Sequence, residues 1–369
     1  MMDKTRINNR QMGFMLFIMR STIIIAFLPV LTSADALQDA WASAFIILIS
    51  SLVITAAVAG LSQRFPQQTI VDYSQKLCGN WLGKLLGLIF LWLFLQMSVI
   101  EVRIYGEVIT TNFMTRTPLT FVVGIIILSS AICVYQGIEI LGRMADVLFI
   151  IFLLMVIIVL ILPLTTFEGT NLQPVLARGW GPVIRGSLVP IALIAQVWVI
   201  GVLTPNLLKP ERVVYTSLLA IGFSLFTLIL IVVVVVGVLG AFEGSRAVFP
   251  LFYMIRSIEI SEFLQRTELL IIFAWGMGIF ISASTYLYAG AVSVARFFGL
   301  KSYSSLVWPM SISWILLTTT GFESMFEVHK FLMSEIYVPY GMTILLGPLI
   351  LLWLVYGLRK IGKEKEDNK

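Results

Sequence analysis

Charged residues are scarce in this chain. Of its 369 residues only 12% are charged, whereas soluble domains carry about 25%. The rest is largely apolar, with 59% hydrophobic residues and a mean hydropathy of +0.98. This balance excludes an ordinary soluble protein. It indicates a chain that crosses a membrane many times, with short loops and no room for a separate soluble domain.

Histidine and cysteine are almost absent. The chain has one histidine and two cysteines, and Cys78 and Cys133 lie in different segments without metal-ligand spacing. There is no Ser/His/Asp set and no phosphate-binding glycine loop, so we expect neither an enzyme nor a cofactor. The net charge of +5 comes from basic residues at the ends of apolar runs. Nucleic-acid binding is therefore not expected.

Long apolar runs, by contrast, are abundant. A hydropathy window of about 19 residues predicts an all-α polytopic membrane protein with ten transmembrane helices, here called span 1 to span 10. The spans cover approximately residues 12–31, 41–61, 82–111, 118–136, 140–163, 184–205, 213–240, 269–298, 304–320 and 340–358. No small-residue cleavage site follows Pro29, so span 1 is expected to stay in the protein.

Lysine and arginine are distributed unevenly between the two sides. Of the 25 basic residues, 16 fall on the side that carries both termini and 7 on the other, while Arg20 and Arg103 lie inside spans. The positive-inside rule then places both termini in the cytoplasm. The charged tail 359–369 is expected to end there, in contact with anionic membrane lipid.

Spans 1 and 6 are interrupted. Span 1 carries Arg20-Ser21-Thr22 at its middle, ahead of Pro29, and span 6 contains Pro190, Gln196 and Pro205. They occupy matching places in two halves of five spans, about 12–163 and 184–358, and such paired breaks point to a binding site near the bilayer midplane. The alternatives are a tilted span 1 whose Arg20 reaches the surface, and prolines that serve packing only.

Other spans also carry polar residues. One face of span 3 carries Gln96, Arg103 and Glu107. Together with Arg20, these residues predict a polar path or gate. The alternative is an ion pair near the outer surface of the membrane. Glu101 lies on a different face, with Tyr105.

The polar residues of spans 5 and 8 and of one outer loop allow two interpretations each. In span 8, Ser282, Thr285 and Tyr286 share a face and would line a cavity beside span 1, or bond their own helix. In span 5, Asp146 is an anchor or a proton relay. The loop 244–268 suits a helix in the plane of the interface, or a packed surface helix.

Four motifs in succession resemble the B subunit of bacterial spore germination receptors. They are Arg64-Phe65-Pro66-Gln67-Gln68-Thr69 after span 2, Gly137-Ile138-Glu139 with Arg143 before span 5, Asn171-Leu172-Gln173-Pro174-Val175-Leu176 before span 6, and the Gln265-Arg266 to Trp275 segment that leads into Tyr286-Leu287-Tyr288-Ala289. The resemblance covers nearly the whole chain. It implies the amino acid-polyamine-organocation superfamily, with an inverted five-plus-five repeat.

The same resemblance implies a place and a task for the chain. The place is the inner membrane of the spore, and the implied partners are the A and C subunits of the germination receptor, which are a larger membrane protein and a lipoprotein. The implied task is the sensing of a small nutrient such as an amino acid.

The chain departs from the family pattern at both breaks. Where the family carries two glycines in span 1 this chain has Thr22 and Ile24, and where it carries a glycine and a glutamate in span 6 this chain has Gln196 and Trp198. Bulkier residues are expected to narrow the pocket or change its ligand.

We expect the pocket to lie between spans 1, 3, 6 and 8. Its predicted lining consists of Ser21, Thr22, Ile23, Gln196, Trp198, Ser282 and Tyr286. Backbone amides near Ser21–Ile23 would bind a carboxylate, carbonyls of the span 6 break would bind an ammonium group, and Trp198 would set the pocket size. Besides a role within a receptor, a secondary amino acid transporter coupled to protons or sodium and an ion channel component remain open.

Overall fold

The chain is helical throughout the part that the structure describes. A computed structural model describes residues 6–26, 28–247, 249–256 and 268–367. The α-helices are α1 (Asn9–Ala26), α2 (Leu28–Ala36), α3 (Ala40–Arg64), α4 (Ile70–Asn112), α5 (Leu119–Tyr135), α6 (Ile138–Ile161), α7 (Trp180–Ala192), α8 (Ile200–Leu203), α9 (Val213–Arg246), α10 (Pro250–Arg256), α11 (Glu268–Phe298), α12 (Ser304–Thr320), α13 (Met325–Leu332) and α14 (Tyr337–Asp367). Among these residues the β-pairing is an isolated parallel bridge between Ile7 and Leu207.

Each predicted span coincides with a helical stretch, which confirms the all-α polytopic class. Within the described ranges, seven helical stretches are long and apolar enough to cross a membrane, and α5 is a shorter apolar helix. Large apolar side chains stay exposed along these helices, for example Ile49, Val53 and Ile125. An apolar outer surface of this extent is typical of a protein whose solvent is lipid.

Two long helices bend at glycines. Gly79 in α4 has a φ of +82° and Gly240 in α9 has a φ of +75°, a backbone region that side chains disfavour. The helical turns before Gly79 and after Gly240 extend beyond the predicted spans 3 and 7. The hydropathy boundaries at residues 82 and 240 thus fall close to these bends.

The described residues of span 1 form α1 and α2, and residue 27 between these helices lies outside the described residues. Ser21, Thr22 and Ile23 lie inside α1 and do not interrupt it. The expected free amides at Ser21–Ile23 are therefore a wrong prediction, because these amides lie within a continuous helix.

Span 6 is divided as predicted. Helix α7 contains Pro190 and ends at Ala192, a 3-10 segment runs over Leu193–Val199, and the short α8 follows. A further 3-10 turn, Thr204–Asn206, contains Pro205. The segment Leu193–Val199 brings Gln196 and Trp198 into the centre of the molecule, where both are buried.

Spans 1 and 6 pack against each other and against the long helices. Helix α2 lies on α7, while α1 contacts α6, α9 and α11, and α4 contacts α11. The approach of α2 to α7 is close, because a Cβ on Gly186 would lie 2.7 Å from the carbonyl oxygen of Thr32. Helices α2 and α7 are thereby fitted together.

The connections between spans are described in part. The predicted interface helix 244–268 is represented by α10, while residues 257–267, including Gln265-Arg266, lie outside the described residues. Helix α13 lies in the connection between α12 and α14. Its lone His329 is half-buried, and this burial lowers the pKa of the imidazole, which favours the neutral form.

Candidate functional site

Arg20 is a completely buried cation where span 1 meets the divided span 6. Its side chain is 0% exposed, and its Nη2 donates to the carbonyl oxygen of Pro190 at 3.3 Å. Pro190 is among the last four residues of α7, whose carbonyls an α-helix leaves without helical partners. Arginine thus binds a carbonyl that the break in span 6 makes available. The alternative that Arg20 reaches the membrane surface is wrong.

Most of the hydrogen-bonding capacity of Arg20 is unused. Its Nε and Nη1 atoms are buried without a hydrogen-bond partner among the described residues. Glu101, Tyr286 and Tyr337 are near enough to act electrostatically on the guanidinium group. No carboxylate of the described residues forms an ion pair with it within 4.0 Å. A buried arginine stays charged, so donors without acceptors at this position are costly.

Glu101, Tyr286 and Gln196 form a buried chain of polar contacts. The Tyr286 hydroxyl lies 3.0 Å from Glu101 Oε1 and 3.1 Å from Gln196 Oε1, so its single proton has two acceptors. Glu101 Oε2 and Gln196 Nε2 are buried without partners in the described part of the chain. Ser282, one turn before Tyr286, lies beside the Glu101 carboxylate. Spans 3, 6 and 8 therefore meet at these residues.

Thr22 marks the contact between α1 and α11. Its hydroxyl donates to the Ile18 carbonyl at 2.7 Å, and a Cβ on Gly278 would overlap Thr22 Oγ1. The larger residue on α1 is thus accommodated by a glycine on α11. This pairing gives a structural reason for the absence of a glycine at position 22.

The other predicted lining residues are buried around this centre. Ser21 and Ile23 lie within the core, and Ser21 Oγ has no hydrogen-bond partner among the described residues. Trp198 is 0% exposed, and its ring centroid lies 5.0 Å from that of Phe90 on α4. Thr285 donates to its own Ile281 carbonyl at 2.7 Å, so for this residue the alternative of bonding within the helix holds.

Gln96, Arg103 and Glu107 lie apart from Arg20. Arg103 Nε donates to Glu107 Oε2 at 3.1 Å, and its Nη atoms donate to carbonyls at the end of α12 and in the following turn. Glu107 also accepts from the Met325 amide at 2.7 Å, and Gln96 accepts from the Tyr340 hydroxyl. These contacts fasten α4 to α12, α13 and α14 and favour an anchor. A gate at these residues remains a prediction.

One end of each of spans 1, 5 and 6 is held to the others by polar contacts. Asp146 on α6 accepts from Gln11 Nε2 at 2.8 Å and pairs with Arg10 at 3.2 Å. The Ile7 amide donates to the Asn206 carbonyl at 2.9 Å. These contacts favour an anchoring role for Asp146 over a proton relay.

Sequence reasoning missed two residues of the site. The sequence places Glu101 on a face with Tyr105 and gives it no role. Tyr337 lies outside the predicted span 10, yet it is buried and near enough to act electrostatically on Arg20. A signal for Glu101 was available. It is a carboxylate within a predicted span, and intramembrane carboxylates are functional candidates by default.

Comparison with known families agrees with this architecture. The family model described as spore germination protein, the spore permease family, matches residues 6–324. The chain belongs to this family. Spore germination protein KB of Bacillus subtilis (strain 168) is 29% identical, over 100% of this chain and 99% of the relative. Spore germination protein A2 of the same strain is 24% identical over 82% of each chain.

Solved structures share the fold of this spore germination family member. MhsT in complex with L-phenylalanine superposes with a TM-score of 0.69 at 16% identity, covering 93% of this chain and 89% of MhsT. A sodium-coupled sialic acid symporter gives a TM-score of 0.64 at 12% identity, covering 92% and 78%. These identities are too low to carry substrate or ion coupling from one protein to another, so the likeness concerns the fold.

Proposed function

We propose that this chain is the membrane subunit of a spore nutrient-germinant receptor, which binds a small nutrient between spans 1, 3, 6 and 8 and thereby starts germination. The observation that carries the proposal is Arg20, a buried cation with unused donors where span 1 meets the divided span 6 of a spore germination protein. Ligand sites of broken-helix membrane proteins occupy this position. The proposed activity is recognition and not catalysis.

The nutrient is expected to act by favouring one packing of spans 1 and 6 over another. A ligand shifts such an equilibrium only by its difference in affinity for the two states. A shift from 1:99 to 99:1 needs a difference of about 5.5 kcal/mol, which is large for a small nutrient. Cooperation between several receptor copies would lower this requirement. The proposed partners are the A and C subunits of the receptor.

The proposed location is the inner membrane of the spore, with both termini in the cytoplasm. The excess of lysine and arginine on the side of the termini supports this orientation. The two repeats are proposed to span about residues 12–163 and 184–358. Helices α1–α2 and the stretch α7–α8 would be their corresponding first members, since they form spans 1 and 6.

Deletion of the chain tests the receptor function. Spores that lack only this chain are expected to lose their response to one set of nutrients and to regain it on complementation. An unchanged response to every nutrient tested would refute the proposal.

A secondary amino acid transporter is the second candidate, because the fold is shared with solved transporters. The purified chain in liposomes with a proton or sodium gradient distinguishes the two. The receptor proposal predicts no nutrient uptake by the chain alone. Gradient-dependent uptake would favour the transporter, and conductance without nutrient flux would favour a channel component.

A further inference from the structure

We infer that Arg20 and Glu101 bind the two charged ends of a zwitterionic nutrient, with the carboxylate of the ligand on Arg20 and its ammonium group on Glu101. This inference rests on the proposed function and specifies the chemical class of the ligand. It also assigns recognition to two side chains instead of to backbone amides of span 1.

The carboxylate end follows from the unused donors of Arg20. Nη2 is engaged by the Pro190 carbonyl, while Nε and Nη1 are shielded from water and have no partner among the described residues. A guanidinium group presents its N–H donors in a fork that matches a carboxylate. The amides of Ser21–Ile23 are held inside α1. Arg20 is therefore the cationic group of span 1 that offers free donors to an anion.

The ammonium end follows from the unused acceptor of Glu101. Oε1 lies 3.0 Å from the Tyr286 hydroxyl, whereas Oε2 is buried without a hydrogen-bond partner among the described residues. No lysine or arginine of the described chain lies within 4.0 Å of this carboxylate. An ammonium group has three donors and no acceptor, which suits an acceptor that lacks a cation.

The two side chains act on each other electrostatically without touching. Arg20 and Glu101 influence each other across the site, yet they form no ion pair within 4.0 Å. A molecule with both charges would compensate each of them by direct contact. An uncharged nutrient would leave the buried arginine without an ionic partner, at a larger desolvation cost. Span 6 adds a further buried donor, because Gln196 Nε2 lacks a hydrogen-bond partner among the described residues.

The spore germination response of the complete receptor tests this inference. The probes are L-amino acids, each compared with its carboxamide, which lacks the carboxylate, and its N-acetylated form, which lacks the ammonium group, and D-glucose serves as an uncharged nutrient. For an amino acid that acts through this chain, we expect the carboxamide and the N-acetylated form to need at least about 10- to 100-fold higher concentrations. This comparison uses the natural chain, so it does not depend on how any variant folds.

Substitutions at two residues locate the charges. Arg20→Met is expected to reduce sensitivity to the amino acid by about 100-fold and to remove most of the preference over the carboxamide, while Arg20→Lys retains part of that preference. Glu101→Gln is expected to remove most of the preference over the N-acetylated amino acid. Arg116→Met, at an exposed arginine, is the matched control. Immunoblots of spore membranes show whether each variant is present at the natural amount.

Three results would overturn the inference. They are a chain that responds only to D-glucose, a carboxamide as potent as its amino acid, and an Arg20→Met variant with unchanged sensitivity. In each of these cases the receptor function itself stands, because a nutrient response still depends on the chain. If no nutrient response depends on the chain, the proposed function fails together with the inference.

Discussion

Tyr286 illustrates how much a single side chain contributes at the residue scale. Its hydroxyl lies within hydrogen-bond distance of both span 3 and span 6, through Glu101 and Gln196. Both acceptors are buried, and a buried acceptor that loses its donor pays its full desolvation cost. Thr285, the neighbouring residue, differs because its hydroxyl bonds the carbonyl of its own helix.

We expect Tyr286→Phe to destabilise the protein by about 1 kcal/mol, because the variant loses a hydrogen bond between membrane helices and leaves its acceptor without a donor. Thermal unfolding of the purified chain in detergent measures the change. Thr285→Val is the control and should cost less, since no other span loses a partner. Equal losses of stability for the two variants would show that the Tyr286 hydroxyl does not join the spans.

The pairing of Thr22 with Gly278 is an element-scale feature, because it sets the distance between α1 and α11. A methyl group on Gly278 would meet both Thr22 and Phe152. Overpacking a well-packed core costs typically about 1 to 3 kcal/mol. Thr22 on α1 thus requires a glycine at position 278 of α11.

Gly278→Ala is expected to destabilise the chain by about 1 to 3 kcal/mol, and Thr22→Gly in the same chain should restore part of that loss. Unfolding of the two single variants and the double variant completes the cycle. Gly124→Ala is the control, because a Cβ at Gly124 meets nothing within 4 Å. Additive losses from Thr22→Gly and Gly278→Ala would contradict the proposed contact.

Arg103 is the second element-scale case, since it joins α4 to the end of α12 and the turn before α13. Its donors reach Glu107 and the carbonyls of Thr318, Thr319 and Glu323. As an anchor, it is expected to affect stability and not ligand preference. As part of a polar path or gate, it would affect the nutrient response at unchanged stability.

Arg103→Met should therefore lower the melting temperature of the purified chain while the order of preference among nutrients stays the same. Removing one partner of a buried ion pair costs about 3 to 5 kcal/mol, so the change in melting temperature should be readily measured. A germination response that changes at an unchanged melting temperature would instead support the gate at Gln96, Arg103 and Glu107.

The positions of the helices were predictable because lipid imposes length and hydropathy on every span. The break in span 6 was also predictable from the local sequence, since Pro190 and Pro205 cannot serve as ordinary helix residues. The interruption expected at Ser21–Ile23 is wrong, because serine and threonine are tolerated inside a helix, where their hydroxyls can bond a carbonyl one turn back, as Thr22 does. Glu101 was missed because its role depends on which helices meet, and hydropathy carries no such information. The same reason applies to Tyr337.

At the scale of the whole molecule, the fold brings a buried arginine, a carboxylate and an amide from three different spans to one place. Arg20 comes from α1, Glu101 from α4 and Gln196 from the 3-10 segment Leu193–Val199. Each retains an unpartnered polar atom within the described structure. Our central claim is that these atoms belong to the nutrient site of a germinant receptor.

Gln196→Ala tests this claim most directly, with Gln136→Ala, at an exposed position after α5, as the matched control. The measurement is the nutrient concentration that gives half-maximal germination, in spores that contain equal amounts of each chain. The account predicts an increase of at least about 10-fold for Gln196→Ala, equivalent to about 1.4 kcal/mol, and no change for Gln136→Ala. An unchanged concentration for Gln196→Ala would contradict it.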